Sequence, residues 1–158
     1  MTRLFFCALL PMAALAGAAD TRPTAEFAVV ASPEVPVSNL TIADLRKIFL
    51  GDRQFWTPKL RVQLLVRSPV ARERAVVVWT ICKMSEAQFG QHWIGKVMRA
   101  ETTSSPQQFT SNQQALNLVA NTPGAIAIVN AAQIPSGMKV MAVEGKMPHE
   151  PGYRLQME

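Results

Sequence analysis

Four short, mostly apolar runs limit what this chain can fold into more than any other feature: residues 27–31, 61–66, 125–129 and 138–143. Each is rich in Val, Ile or Leu and is bounded by Pro, Gly, Ser or Asn, which is the signature of a strand between turns. A strand with one wet face alternates apolar and polar residues. A nearly continuous apolar strand has to be covered on both faces. We therefore read strands at Phe27–Ala31, Arg61–Val66, Ala125–Val129 and Met138–Val143, in a sheet with helices on both sides.

The segments between these runs carry helix signals. Thr41 can cap a helix whose apolar positions are Ile42, Leu45, Ile48 and Phe49, with Asp44 three residues after the cap and Gly51 beyond the end. Ser68-Pro69 reads as a helix start, serine as cap and proline in the first turn, leading into Val76-Val77-Val78-Trp79 and Ile81. Ser85 with Gln88 is a capping box ahead of Phe89, Trp93 and Val97, one stripe at spacings of four. Ser111 with Gln114 is a second box, and Thr122-Pro123-Gly124 ends its helix. Strands alternating with helices predict an α/β domain with a mostly parallel sheet flanked by helices. The polar tail from Glu144, with Pro148, Pro151 and Gly152, should be irregular.

The first residues have a different character. Met1-Thr2-Arg3 is a short basic start, Leu4–Leu15 is apolar, and Ala16-Gly17-Ala18-Ala19 supplies small residues, the pattern of a cleavable secretory signal peptide. Cleavage before Ala19 or before Asp20 satisfies the small-residue rule equally well. The apolar stretch is short for a membrane span, which needs about 20 residues, and Pro11 interrupts it. The expectation is a signal peptide over 1–19 and an exported domain over 20–158. Cys7 stands early in the apolar stretch, so a lipoprotein anchor is not expected. Cys82 is then the sole cysteine of the exported part, which leaves no intramolecular disulfide and predicts a buried thiol. The basic excess, +5 for the whole chain, is scattered. It suits anionic small molecules or membrane headgroups rather than nucleic acid, for which no basic run or recognition motif is present.

Enzyme chemistry finds no constellation. Cys82 and His92 fall on separate helical segments, and His149 lies in the tail, so neither a nucleophile–base pair nor a metal-ligand spacing is present. No cofactor motif appears. Of the three tryptophans, Trp79 and Trp93 sit in apolar helical stripes and are expected in the core. Trp56 remains as the one candidate stacking surface. The best local site is the junction after the second strand. There a helix N-terminus, the Ser68 hydroxyl and the guanidinium forks of Arg67 and Arg72 could together hold an oxyanion. Glu73 could neutralise one of these cations.

Several stretches stand out in order along the chain: Val37-Ser38-Asn39-Leu40-Thr41, then Leu45, Ile48-Phe49-Leu50-Gly51 and Trp56. Leu64-Leu65-Val66-Arg67-Ser68 follows, then Thr122-Pro123-Gly124-Ala125-Ile126-Ala127-Ile128-Val129, and last Val143-Glu144-Gly145-Lys146-Met147-Pro148 with Pro151-Gly152-Tyr153. Together, from about Phe27 to Leu155, they resemble successive blocks of the phosphate ABC-transporter substrate-binding protein family. The resemblance implies one lobe of a type 2 periplasmic binding protein-like fold, periplasmic location, and a non-catalytic role in binding a small anion, phosphate first. The family's phosphate loop continues with an aspartate, glycines and a serine-threonine pair. Here Pro69-Val70-Ala71-Arg72-Glu73 follows instead, so only Arg67 and Ser68 carry over as ligands. Arg72 is added from the helix-terminus argument. A lone lobe also leaves its ligand face open. The alternative expectation is an envelope interaction module that docks a membrane sensor or transporter component, or a second copy of itself as a homodimer.

Overall fold

The elements follow in chain order as β1 (Ala25–Ala31), β2 (Asn39–Leu40), α1 (Ile42–Phe49), a hairpin of β3 (Phe55–Thr57) and β4 (Leu60–Arg61), then β5 (Gln63–Arg67). Next come α2 (Arg72–Ala75), which runs on as a π-helical stretch Val76–Ile81, α3 (Glu86–Met98), β6 (Gln107–Phe109) and α4 (Asn112–Asn121). The chain closes with β7 (Ala125–Asn130), a 3-10 turn at Ala131–Gln133, β8 (Lys139–Val143) and β9 (Gln156–Met157). This computed structural model describes residues 24–158; the expected signal peptide and Cys7 lie outside the described residues.

The main sheet has the order β2-β8-β1-β7-β5-β6, with β9 added on β1. β2 pairs with β8, and β5 with both β6 and β7, in parallel. β1 meets β7, β8 and β9 antiparallel. It follows that all strands of this sheet run one way except β1, which is reversed near the centre. The mostly parallel sheet flanked by helices is therefore present, with one inverted strand.

Two cores explain the continuous apolar runs. On one face Phe27, Val29 and Ala31 of β1 and Ile126 and Ile128 of β7 pack with α1, the π-helical stretch and α3. On the other, Val30, Leu65 and Phe109 join Ala125, Ala127 and Val129 beneath α4. Successive residues of a strand point to opposite faces, so a strand buried on both must be apolar throughout. The face under α4 takes alanines at 125 and 127, which lets that helix lie close to the sheet.

The helix starts behave as their caps dictate. Thr41 forms the full capping box with Asp44, and Ser85 with Gln88. At Ser111 the box is one-sided. The serine accepts from the Gln114 N–H, but the Gln114 side chain accepts from the N–H and hydroxyl of Thr110 instead. The tail is more ordered than expected. Tyr153 and Leu155 are buried, the Tyr153 hydroxyl donates to the Phe27 carbonyl at 2.7 Å, and Gln156–Met157 adds a strand to β1. Polar composition hid this because the two buried side chains are separated by the exposed Arg154 and flanked by exposed residues.

Gly124 is the tightest point of the fold. Its φ is +78°, and a Cβ there would lie 2.0 Å from the Arg61 carbonyl oxygen. Its own carbonyl accepts from the Gln63 N–H at 3.0 Å and from Trp56 Nε1 at 2.8 Å. One glycine thus fixes the β3–β4 hairpin against the start of β7. Trp56 is buried by this contact, so the expected stacking surface is not formed. Trp79 is corrected in the opposite sense and is 57% exposed. Val76, Val77, Val78, Ile81 and Cys82 already occupy the core-facing arc of the π-helical stretch, which leaves Trp79 pointing outward.

Candidate functional site

β5, β6 and β7 run parallel and end on the same side of the sheet. The carboxyl ends of parallel strands are where open α/β folds place ligands, because helix starts and loops converge there. Arg67 is the last residue of β5, level with Phe109, the last of β6. Its guanidinium lies 5.8 Å from the Phe109 ring centroid. The side chain is 19% exposed, and Nε and Nη1 are buried without a hydrogen-bond partner. The nearest opposite charge is Glu73, with Oε2 3.9 Å from Arg67 Nε, outside hydrogen-bond range. Buried guanidinium donors left unpaired carry a desolvation cost that an oxyanion would relieve.

The surroundings of Arg67 are fixed by Arg74. Arg74 Nη1 donates to the Arg67 carbonyl at 3.2 Å, and its other nitrogens clasp the Glu86 carboxylate at the start of α3. The same guanidinium lies 5.1 Å from the Phe89 ring centroid. Arg74 is thus fully occupied in joining β5, α2 and α3. Sequence reasoning missed Arg74 and Phe109. Their approach to Arg67 depends on strand pairing and helix docking, and no spacing in the sequence encodes it.

Ser68 and Arg72 are only partly where they were expected. The Ser68 N–H donates to the Phe109 carbonyl at 2.9 Å, so the strand pairing extends through Ser68 and it does not cap a helix. Pro69 and Val70 then form a turn, with Val70 at φ +78°, and α2 begins at Arg72 with Ala71 as its uncapped N-cap. The helix therefore starts three residues later than Ser68-Pro69 suggested. Arg72 stands exposed at its first position and makes no ion pair with another described residue. Arg67, Ser68 and Arg72 share one strand–turn–helix junction, but the contact partner of Arg67 is Glu73 and neither of the other two.

The remaining reactive side chains are structural. Cys82 is buried in the core, and burial pushes its thiol up to about 12, which leaves it protonated at neutral pH. His92 Nε2 lies 2.7 Å from the Leu50 carbonyl, so that nitrogen carries the proton and donates it. His149 sits against Glu26 on the surface. Among the described residues no group of three or more His, Cys, Asp or Glu could hold a metal ion. A cavity of about 370 Å³ lies elsewhere, toward the amino ends of β5 and β6.

No protein-family model and no curated protein matches the chain. Solved structures do match its fold. An ABC-type phosphate transport receptor from Vibrio cholerae aligns with a TM-score of 0.66 at 16% identity, over 84% of this chain and 54% of its own. PstS from Borrelia burgdorferi aligns with a TM-score of 0.67 at 15% identity, over 85% and 55%. A putative phosphate ABC transporter substrate-binding protein from Clostridium perfringens, solved with bound phosphate, aligns with a TM-score of 0.62 at 16% identity, over 78% and 47%. The chain thus has the fold of phosphate ABC transporter substrate-binding proteins and spans about half the length of each.

Proposed function

We propose that this chain, built on that fold, is an exported, non-catalytic binding protein for a small oxyanion, with phosphate the first ligand to test. The observation that carries the reading is Arg67: a largely buried guanidinium with two unpartnered nitrogens at the carboxyl end of a parallel strand. Arg67 supplies the fork to the anion, the Ser68 hydroxyl adds a donor, and Arg72 adds an exposed cation at the same junction. The free N–H groups at the start of α2 favour negative charge in the same place. Export rests on the signal-peptide pattern of residues 1–19, and residues 20–158 would then work as an untethered periplasmic domain that delivers its ligand to a membrane transporter.

Calorimetric titration of the purified domain with phosphate, sulfate and small carboxylates tests this. Heat with at least one of them, abolished by Arg67→Ala, is the expected result. No heat with any of them sinks the proposal.

A second reading has its own observation. Glu73 already stands beside Arg67, while Ile94, Val97 and Met98 share an exposed face of α3 and Trp79 is also exposed. An interaction module that docks a transporter or sensor component would use such a surface, and dimerisation would cover it as well. Sedimentation of the pure domain, and crosslinking in envelope fractions at position 94, separate these from anion binding. A monomer with no crosslinked partner removes this reading.

A further inference from the structure

The far end of the sheet carries a second polar recess that the Arg67 reading does not use. This cavity of about 370 Å³ opens between the amino ends of β5 and β6, the end of α1 and the segment before β6. Its volume is in the range of small-molecule sites. Arg53 and Arg61 line it, and no carboxylate or lysine does. Each guanidinium is braced by an aromatic ring: Arg53 lies 5.2 Å from the Trp56 centroid and Arg61 5.6 Å from that of Phe55. Arg61 Nη2 also donates to Gln54 Oε1 at 3.4 Å; ring bracing of this kind holds a cation while leaving most of its donors free.

The lining also includes a run of four hydroxyl residues, Thr102-Thr103-Ser104-Ser105. The Thr102 hydroxyl donates to the Ser104 carbonyl. Among the described residues no hydrogen bond uses the hydroxyls of Thr103, Ser104 or Ser105. The residue before the run, Glu101, is tied down by two neighbours. Gln54 Nε2 donates to the Glu101 carbonyl at 2.8 Å, and the buried Lys96 bridges Asp52 at 2.7 Å and Glu101 at 3.4 Å. The Asp52 and Glu101 carboxylates raise the Lys96 pKa, which favours its charged form. Trp93 also lines the cavity and is 6% exposed.

We infer that this recess is a binding site for an oxygen-rich organic anion of sugar-phosphate size, with Arg53 and Arg61 on the anionic group and the Thr103–Ser105 hydroxyls on the ligand's other oxygens. Two guanidiniums without a resident carboxylate select negative charge. The hydroxyl and amide lining selects a ligand with several oxygens over an apolar acid. The site stands at the opposite end of β5 from Arg67, so the two are separable.

Titration of the purified domain with glucose 6-phosphate and citrate, with glucose as the neutral control, tests this. At least one anion is expected to bind while glucose does not, and Arg61→Gln and Arg53→Gln should each weaken it about tenfold or more. Arg67→Gln should leave this binding unchanged. Thermal melts of the same variants show whether they are folded. If Arg61→Gln loses stability, Ser104→Ala with Ser105→Ala serves in its place and should weaken binding without touching either arginine. Failure of both anions to bind, unchanged affinity in the folded variants, or loss of binding in Arg67→Gln alone would each overturn the inference and leave the Arg67 proposal to its own test.

Discussion

Glu73→Gln should strengthen oxyanion binding at Arg67 by about tenfold. The carboxylate lies 3.9 Å from Arg67 Nε, with side-chain exposures of 19% for Arg67 and 11% for Glu73, so the pair is mostly shielded from water. An anion seated on the unpartnered edge of the guanidinium would stand about 6 Å from Glu73, where Coulomb repulsion is about 0.7 kcal/mol in water and about 3 kcal/mol at an effective dielectric constant of ~20. A value near 1.4 kcal/mol, between these limits, is one factor of ten in affinity. The substitution keeps the size of the side chain and removes only its charge. Its cost to the fold should be about 1–2 kcal/mol, below the 3–5 kcal/mol of a fully buried, hydrogen-bonded pair. Calorimetry of the wild type and the variant with phosphate, at low ionic strength and again at ~0.15 M salt, reads the affinity. The gain should persist in salt because the Debye length of ~8 Å exceeds the separation involved and the pair is shielded. A cooperative urea melt shows that the variant is folded. A folded Glu73→Gln protein whose phosphate affinity is unchanged or weaker would refute the reasoning, since Glu73 would then not compete for the charge of Arg67.

Other consequences follow from the fold. Gly124→Ala should destabilise by about 3 kcal/mol or more, from the left-handed φ together with a Cβ forced onto the Arg61 carbonyl, read as a lower urea midpoint at constant slope. Asp44 accepts from the backbone and hydroxyl of Thr41, which holds its carboxyl below the usual range. Its stabilisation is present above the unfolded value of 3.8 and is lost as pH falls through the lower folded value, so the stability gap between wild type and Asp44→Asn should close in strong acid. Cys82 should resist thiol reagents in the native state at pH 8 and react on unfolding. Burial raises its pKa from 9.0 to about 12, so the margin of wild type over Cys82→Ala should shrink as pH rises from 9 toward 12. A Cys82 that reacts at the rate of a free thiol would contradict its burial.

The strands were legible because two-sided burial writes itself directly into composition. The fully buried parts of β1 and β7, Phe27–Ala31 and Ala125–Val129, cannot be covered on both faces without being apolar throughout, and they are the runs read from the sequence. Capping was legible for an equally local reason. Thr41 and Ser85 bond to groups three residues away, so their spacing alone carries the geometry. The short pieces were not legible. β2, β6 and β9 have two or three residues each, too few for a period to register, and they exist because a neighbouring strand supplies partners. The second helix start was misread because Ser68-Pro69 has the chemistry of a cap. The parallel pairing of β5 with β6 claimed Ser68 for the sheet.

For the candidate site, the sequence alone determined that a cation and a hydroxyl, Arg67 and Ser68, stand where a strand gives way to a helix. That follows from chain order and the end of an apolar run. Only the tertiary structure decided what Arg67 meets there. Glu73 approaches to 3.9 Å, Phe109 lies beside the guanidinium, and Arg74 is spent on Glu86. These contacts depend on how α2 docks and how β6 pairs, and side chains brought together across elements leave no periodic trace in the chain. The same holds for the far recess, where Arg53 and Arg61 share a cavity with a hydroxyl run some forty residues later in the sequence only because the sheet and the Lys96 bridge bring those segments together.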